Sequence, residues 1–373
     1  MQDYPVRLLN KLIGTYSPSG SESTLAGELS AEMGNLGYRA RRDEAGNVIG
    51  EFGSEGPKIL LCGHLDTVPG RIPFVQRDGF IHGRGAVDAK SSLAAMIVGC
   101  MQAWRNSPSF RGTVAGVVEE ETTSFGIKEL VSEARRWDLA VFGEPSGTSN
   151  IIIGYKGSLI VEVACLTAGG HSSSPWLSRN SLEEAFGFWQ LVRESLLEND
   201  AQTKFDAVTG SLIQIRTDER ANTIPSRTGM TIDVRIPPRQ ALFDTIRRIE
   251  KLATEYQNSR EGLKLLVSFA NGTIPYLGPA DSTLVSAFRS AIRRVTGKKV
   301  QLVKKTGTSD MNHLAEKAAI PMIAYGPGDS RLDHTDQEKV SVTEYLQSIE
   351  VISTAIQRLA TPIRNLERVQ ARQ

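Results

Sequence analysis

A histidine and an aspartate stand two positions apart, directly after a short apolar segment. Residues 58–62 are typical of a buried strand, and His64 and Asp66 follow them. An imidazole that binds a metal usually gives its second ring N–H to a carboxylate or carbonyl oxygen. The His-x-Asp spacing could therefore supply a metal ligand together with the group that orients it. A surface histidine is the alternative for this pair taken alone.

Further carboxylates follow at comparable places along the chain. They are Asp88 after a glycine-rich turn, the run Glu119-Glu120-Glu121 after an apolar segment, and Glu144 before Pro145. A helix N-cap is the alternative for Asp88, and an exposed loop position is the alternative for Glu144. Three adjacent glutamates repel one another, and a nearby cation or exposure to solvent would reduce that repulsion.

His334 completes a mixed set of nitrogen and oxygen donors. It follows the predicted strand 321–325 and a Gly-Pro-Gly loop, and open α/β sheets place ligand sites at the carboxyl ends of their strands. Imidazole and carboxylate donors suit Zn²⁺, Co²⁺ or Mn²⁺. The five donors exceed the needs of one tetrahedral zinc, so a shared carboxylate would let them hold two ions. The set is His64, Asp88, Glu121, Glu144 and His334, with Asp88 as the candidate bridge.

The elements around these residues predict an α/β fold with a mixed, largely parallel sheet and helices on both faces. Short apolar segments such as 48–52 and 58–62 alternate with helical patterns such as 89–104. Near Gly157 the pattern changes to that of a compact α+β unit, and it later reverts. We therefore predict a discontinuous catalytic domain, 1–157 and 273–373, interrupted by an inserted domain at 158–272.

Length and composition narrow the class of protein. A chain of 373 residues favours two domains, and a net charge of +1 gives no overall field that would attract nucleic acid or a membrane. The sequence shows no secretory signal and no uncharged apolar stretch of about 18 residues. We expect a cytoplasmic protein whose three cysteines are buried thiols rather than disulfides.

Taken together, these residues resemble the metal-dependent aminoacylase and peptidase family that includes succinyl-diaminopimelate desuccinylase and acetylornithine deacetylase. The resemblance covers nearly the whole chain and follows the order of the motifs above. It implies a zinc-exopeptidase-like fold with an inserted lid and dimerisation domain. It also implies two divalent metal ions, Zn²⁺ or Co²⁺. His64 and Glu144 would bind one ion, Glu121 and His334 the other, and Asp88 would bridge them.

The same resemblance implies the catalytic roles. Asp66 would orient His64, and Glu120 would be the general base that moves a proton from water to the leaving nitrogen. Because Glu119 precedes Glu120, the base and ligand roles could instead be shifted by one residue. His171, in a turn of small residues, would stabilise the oxyanion of the tetrahedral intermediate; a surface position is its alternative.

The remaining candidates would bind substrate. They are Asn222, Arg235, Gly307 and Thr308. Arg235 could instead form a structural ion pair. The Gly307–Thr308 loop could bind a carboxylate at the start of the next helix, or could simply cap that helix. For His82 and His313 we expect ordinary structural positions.

Two segments, 8–20 and 305–312, are similar to one branch of this family. That branch releases lysine or ornithine from the terminal glutamate of an acidic amino-group carrier protein (LysW-like), in lysine and arginine biosynthesis. The basic residues between 293 and 305 could dock such a carrier, or could form a solvated helix face. The alternatives are an N-acetyl-ornithine or N-acetyl-lysine deacetylase, another aminoacylase or dipeptidase, and a metal-binding protein without catalysis.

Overall fold

The computed structural model describes residues 3–132, 137–197, 201–217 and 221–360. Within these ranges the chain forms two compact units. The first comprises the described residues of Met1–Ile153, Gly278–Val303 and His313–Gln373, and the second comprises those of Gly154–Leu277 and Lys304–Asn312.

Nine α-helices lie within the described ranges. They are α1 (Asp3–Gly14), α2 (Ser23–Asn35), α3 (Lys90–Asn106), α4 (Phe125–Ser132), α5 (Ser181–Leu196), α6 (Leu242–Asn258), α7 (Thr283–Thr296), α8 (Asp310–Lys317) and α9 (Val342–Ala360). Local chemistry sets such bounds: the Ser282 hydroxyl accepts the Val285 N–H at 3.2 Å before α7, and Gly297 ends α7 at φ +69°. None of the described helices has the length and apolar character needed to cross a bilayer.

The same ranges contain eighteen strands. They are β1 (Arg39–Arg42), β2 (Val48–Phe52), β3 (Lys58–His64), β4 (Val75–Arg77), β5 (Phe80–His82), β6 (Arg111–Val117), β7 (Leu139–Phe142), β8 (Asn150–Tyr155), β9 (Gly157–Leu166), β10 (Gly170–His171), β11 (Thr209–Thr217), β12 (Thr223–Ile224), β13 (Arg227–Ile236), β14 (Lys264–Thr273), β15 (Tyr276–Leu277), β16 (Gln301–Lys305), β17 (Met322–Ala324) and β18 (Lys339–Ser341).

A nine-stranded sheet runs in the order β1-β2-β6-β3-β7-β17-β8-β15, with β16 also paired to β8. The four neighbours β6, β3, β7 and β17 pair in parallel, whereas β1, β2, β8 and β15 pair antiparallel with their neighbours. The predicted mixed α/β sheet is confirmed, and its parallel part is the central group of strands. The carboxyl ends of these four strands consequently lie along one edge.

Helix α3 packs closely against α9 in the first unit. A Cβ atom at Gly99 would lie 2.9 Å from Ile352 Cγ2, so glycine is what permits this approach. Nearly every residue of α3 is buried, which gives the loop before it a rigid base. Cys62, Cys100 and Cys165 are buried and free, as the sequence predicted.

The second unit contains a four-stranded antiparallel sheet in the order β11-β13-β9-β14. Side chains along β9 and β13 alternate between buried and partly exposed, as they do when one face of a sheet is covered. Residues of α5 and α6, including Phe188 and Ile249, join the buried face in a separate apolar core. A short ribbon, β10 paired with β12, lies outside this sheet.

Candidate metal centre

The parallel strands bring the predicted metal ligands of the first unit to one edge of the sheet. Strand β3 ends at His64, β6 is followed by the three glutamates, β7 by Glu144, and β17 by the loop that carries His334. Asp88 lies just before α3. The order of neighbouring strands, β6-β3-β7-β17, explains how residues so distant in sequence can serve one site.

Two histidines and two carboxylates meet at this edge. One ligand atom each from His64, Asp88 and Glu121 lies within 4.8 Å of the others. The Nε2 atom of His334 lies 3.0 Å from Glu121 Oε2 and 3.2 Å from Asp88 Oδ2. The other oxygen of Asp88, Oδ1, lies 3.4 Å from Nε2 of His64. Asp88 thus turns one oxygen to each histidine, which is the arrangement that a bridging carboxylate requires.

The ring orientation of His64 is set by its own loop. Its Nδ1 lies 2.9 Å from the backbone carbonyl oxygen of Asp66, and 3.5 Å from Oδ1 of the same residue. A carbonyl oxygen can only accept, so Nδ1 carries the proton and Nε2 is left to bind a cation. The backbone of Asp66, more closely than its carboxylate, orients the ring.

The carboxylates of the cluster favour positively charged neighbours. Burial would raise the pKa of Asp88, but hydrogen bonds from His334 and His64 hold it well below its usual range. Hydrogen bonds to the carboxylates of Asp88 and Glu121 raise the pKa of His334 to about 10. Oε1 of Glu121 is buried and accepts no hydrogen bond from the described residues. An orphaned anionic oxygen among imidazoles fits a divalent cation.

Asp66 also holds the backbone of the glutamate run, a role that the sequence did not predict. The fully buried carboxylate accepts the backbone N–H of Glu120 at 3.1 Å through Oδ1 and that of Glu121 at 3.0 Å through Oδ2. The N–H of Glu119 is held in the same way by Oε1 of Glu22, at 3.1 Å. All three glutamates are therefore fixed through their backbone, and their side chains need not hold the loop in place.

The glutamate run does not continue as a strand. Glu119 adopts φ +57°, and its carboxylate accepts the hydroxyl hydrogen of Thr123, which lies in the following turn. The Glu119 carboxylate is therefore held by Thr123, which is not part of the histidine cluster. Burial would lower the pKa of His64, but hydrogen bonds to Asp66 and Asp88, together with the charge of Glu120, raise it well above its ordinary value. This electrostatic coupling favours Glu120 over Glu119 as the glutamate that acts on the cluster. Glu144 is half-buried at the end of β7, beside β3.

Two of the other predicted residues lie at the β10–β12 ribbon of the second unit: His171 in β10 and Asn222 directly before β12. His171 is exposed, and its Nδ1 accepts the backbone N–H of Ser173 at 3.1 Å. The neutral ring therefore carries its proton on Nε2, which can donate. The carbonyl oxygen of Asn222 accepts the N–H of Ser172 at 3.1 Å, and Asn222 itself is exposed at φ +58°.

Arg235 and the loop 307–308 are close together in the same unit. Arg235 forms an ion pair with Asp233 at 2.8 Å, which is the structural partner that the sequence left open, and its Nη1 lies 3.5 Å from the Thr308 hydroxyl. A Cβ atom at Gly307 would meet open space. The Ser309 hydroxyl accepts the Met311 N–H at 3.3 Å, so the capping interpretation of this loop is also correct.

The imidazole of His313, which lies outside the cluster, should make the free energy of unfolding depend on pH. Burial, reinforced by the charge of Lys128, lowers its pKa to about 4. The unfolded chain then binds a proton more readily than the folded one, so stability is lost as the pH falls from about 6.5 to about 4. We expect the urea midpoint of unfolding to fall less between pH 7 and pH 4.5 in His313→Gln than in wild type. An equal loss in both proteins would contradict this assignment.

The chain is similar to known proteins over most of its length. Residues 60–358 match the model of peptidase family M20/M25/M40. The chain is 34% identical over 359 residues to the [LysW]-lysine hydrolase of Deinococcus radiodurans, covering 94% of this chain and 96% of that protein. It is 32% identical over 357 residues to the [LysW]-lysine/[LysW]-ornithine hydrolase of Saccharolobus islandicus, covering 94% and 95% respectively. Aminopeptidase PepT of Bacillus cereus has the same fold, with a TM-score of 0.83, 18% identity, and coverage of 97% of this chain and 99% of that chain.

Proposed function

Since the chain belongs to peptidase family M20/M25/M40, we propose that it is a metal-dependent amide hydrolase that releases lysine, ornithine or both from the terminal glutamate of a LysW-like carrier protein. The observation that carries the proposal is the cluster of two imidazoles around Asp88. The names of the relatives from Deinococcus radiodurans and Saccharolobus islandicus support the choice of substrate.

We assign the metal ligands from the cluster and the resemblance together. His64 and Glu144 would hold one ion, Glu121 and His334 the other, and Asp88 both; Zn²⁺ or Co²⁺ fits these donors. Bound there, the ions would polarise the amide carbonyl and lower the pKa of a water molecule toward 7. The distances from Asp88 to the two histidines support its bridging role.

Glu120 is the proposed general base. Its backbone N–H donates to Oδ1 of Asp66 at 3.1 Å, and the same oxygen lies 3.5 Å from Nδ1 of His64, so the side chain starts from a fixed position. It takes a proton from the attacking water and delivers it to the nitrogen of the leaving amino acid, which departs as the amine. A positioned base of this kind contributes about 10²–10⁴-fold to the rate.

The candidates of the second unit would contact substrate. The Nε2–H of His171 would donate to the oxyanion, and the tautomer imposed by Ser173 supports that role. Arg235, Thr308 and Gly307 would bind a carboxylate of the amino acid, and Asn222 would contact substrate in the ribbon. We propose that residues 158–272 of this unit form the inserted lid and dimerisation domain, and that the catalytic domain is formed by 1–157 and 273–373, which include the loop 307–308.

The basic residues at the end of α7 and just after it would bind a carrier substrate. Arg293, Arg294, Lys298 and Lys299 are exposed at the end of the helix and in the turn that follows. They would attract the acidic surface of the carrier, and salt would weaken that attraction. We propose that the enzyme acts in the cytoplasm as a homodimer, in lysine and arginine biosynthesis.

A comparison of two substrate classes tests the proposed function. The Zn²⁺- or Co²⁺-loaded protein receives either the carrier with lysine or ornithine on its terminal glutamate, or N-acetyl-lysine and N-acetyl-ornithine. We expect kcat/KM to be far higher for the carrier forms and to fall with added salt. A preference for the acetyl compounds, without dependence on salt, would instead establish a small-molecule deacetylase.

A further inference from the structure

Glu338 is a buried carboxylate next to the metal-binding loops and was not among the residues singled out from the sequence. Its side chain is 1% exposed. Its Oε1 accepts the backbone N–H groups of Gly85, Val87 and Asp88 at 3.0, 2.9 and 2.9 Å. Three N–H groups of one four-residue segment, which ends at a proposed metal ligand, therefore donate to a single carboxylate oxygen.

This arrangement requires an unusual backbone. Gly85 has φ +85°, a conformation that favours glycine, and a Cβ atom there would lie 2.8 Å from Cδ of Lys90. The turn thus lets the N–H groups on either side of Ala86 point to the same acceptor. A loop built in this way loses its shape if the acceptor is removed, because three buried donors are left unpaired.

Arg84 extends the same contact to the loop of His334. Its guanidinium is 5% exposed and lies 3.1 Å from Oε2 of Glu338. It also donates to the carbonyl oxygen of Thr335, the residue after His334, at 3.0 Å, and to that of Gly70 at 2.8 Å. Glu338 is consequently the point at which the segment before Asp88 and the segment after His334 are tied together.

We infer that Glu338 is a positioning residue for metal binding, which keeps Asp88 and His334 at the separation that a shared cation requires. The inference rests on the proposed function, since it concerns the same metal site. Glu338 does not touch the cation in this account. It acts through the backbone of Asp88 and, by way of Arg84, through the backbone beside His334. Groups that orient metal ligands typically contribute about 10–100-fold to metal affinity.

Zinc affinity of the full-length protein tests the inference. Wild type, Glu338→Gln and the control Asp336→Asn are titrated with Zn²⁺ against a chromophoric chelator, and thermal unfolding is recorded with and without zinc. Asp336 is two residues away, is almost fully exposed, and lies 3.5 Å from Arg84. We expect Glu338→Gln to raise the zinc dissociation constant about 10–100-fold and to lose most of the thermal shift that zinc produces in wild type. The amide keeps one acceptor for the loop N–H groups, but it turns an NH₂ donor toward Arg84 and so breaks the tie between the two loops. The control should match wild type.

Each other result has a defined meaning. Wild-type zinc affinity in a folded Glu338→Gln variant would overturn the inference and leave the proposed function intact. If that variant does not fold, Arg84→Lys replaces it, because a lysine cannot reach the carbonyl oxygens of Gly70 and Thr335 together. Unchanged zinc affinity in Arg84→Lys would also overturn the inference. Failure of wild type to bind either Zn²⁺ or Co²⁺ would overturn the proposed function itself.

Discussion

Replacing Glu120 by glutamine is expected to lower kcat by about 10²–10⁴-fold, with little change in the content of bound metal. The amide is close in size to the carboxylate but cannot accept the proton of the attacking water. The backbone N–H of residue 120 would still donate to Asp66, so the loop should keep its shape. Steady-state kinetics, with metal analysis of the same preparation, check this result.

Glu119→Gln is the matched control, since it makes the same chemical change one residue earlier. Its carboxylate contacts Thr123 in the following turn, so we expect nearly wild-type turnover. The opposite result, with Glu119→Gln inactive and Glu120→Gln active, would move the general base by one residue. Loss of metal from Glu120→Gln would show that this side chain is a ligand instead.

Asp88→Ala is expected to have a comparably large effect, for a different reason. Removal of this side chain deletes a carboxylate whose two oxygens lie 3.4 Å from His64 and 3.2 Å from His334. The two imidazoles then lose their shared anion, and we expect metal to be retained poorly. The loss of electrostatic stabilisation should lower kcat by at least about 10²–10³-fold. Metal analysis after dialysis, with kinetics at saturating Zn²⁺, measures both effects.

Asp78→Asn serves as the control for Asp88. Asp78 is exposed in the turn between β4 and β5 at φ +52°, a conformation that asparagine also adopts. It should retain wild-type metal content and activity. A fully active Asp88→Ala variant with its metal retained would rule out a bridging role for Asp88.

Elements whose pattern is local could be predicted from the sequence. The helix predicted at 89–104 is observed at Lys90–Asn106, and the strand predicted at 58–62 is observed at Lys58–His64. Apolar periodicity decides such elements without reference to the rest of the chain. The strands Arg39–Arg42 and Asn150–Tyr155 were missed: the first is mostly arginine, and its pairing with β2 is a tertiary contact.

The residues of the candidate site also fall into those that the sequence predicts and those that it does not. Residues with distinctive chemistry at strand ends, such as His64 and His334, stand out in the sequence because few residue types bind metals. Their supporting groups do not. Glu338 resembles any glutamate near a helix, and its role depends on N–H groups about 250 positions away in the chain. The backbone contacts made by Asp66 were missed for the same reason, since sequence patterns do not show which carboxylate a backbone N–H will meet.

Hydrolysis of the carrier conjugate in heavy-oxygen water tests the central claim most directly. The metal-loaded protein is mixed with the carrier bearing lysine on its terminal glutamate, in H₂¹⁸O, and the carrier is analysed by mass spectrometry. We expect the lysyl group to be lost and one heavy oxygen to enter the terminal glutamate, and we expect a chelator to prevent both changes. An unchanged carrier, under conditions in which the same preparation hydrolyses N-acetyl-lysine, would contradict the account.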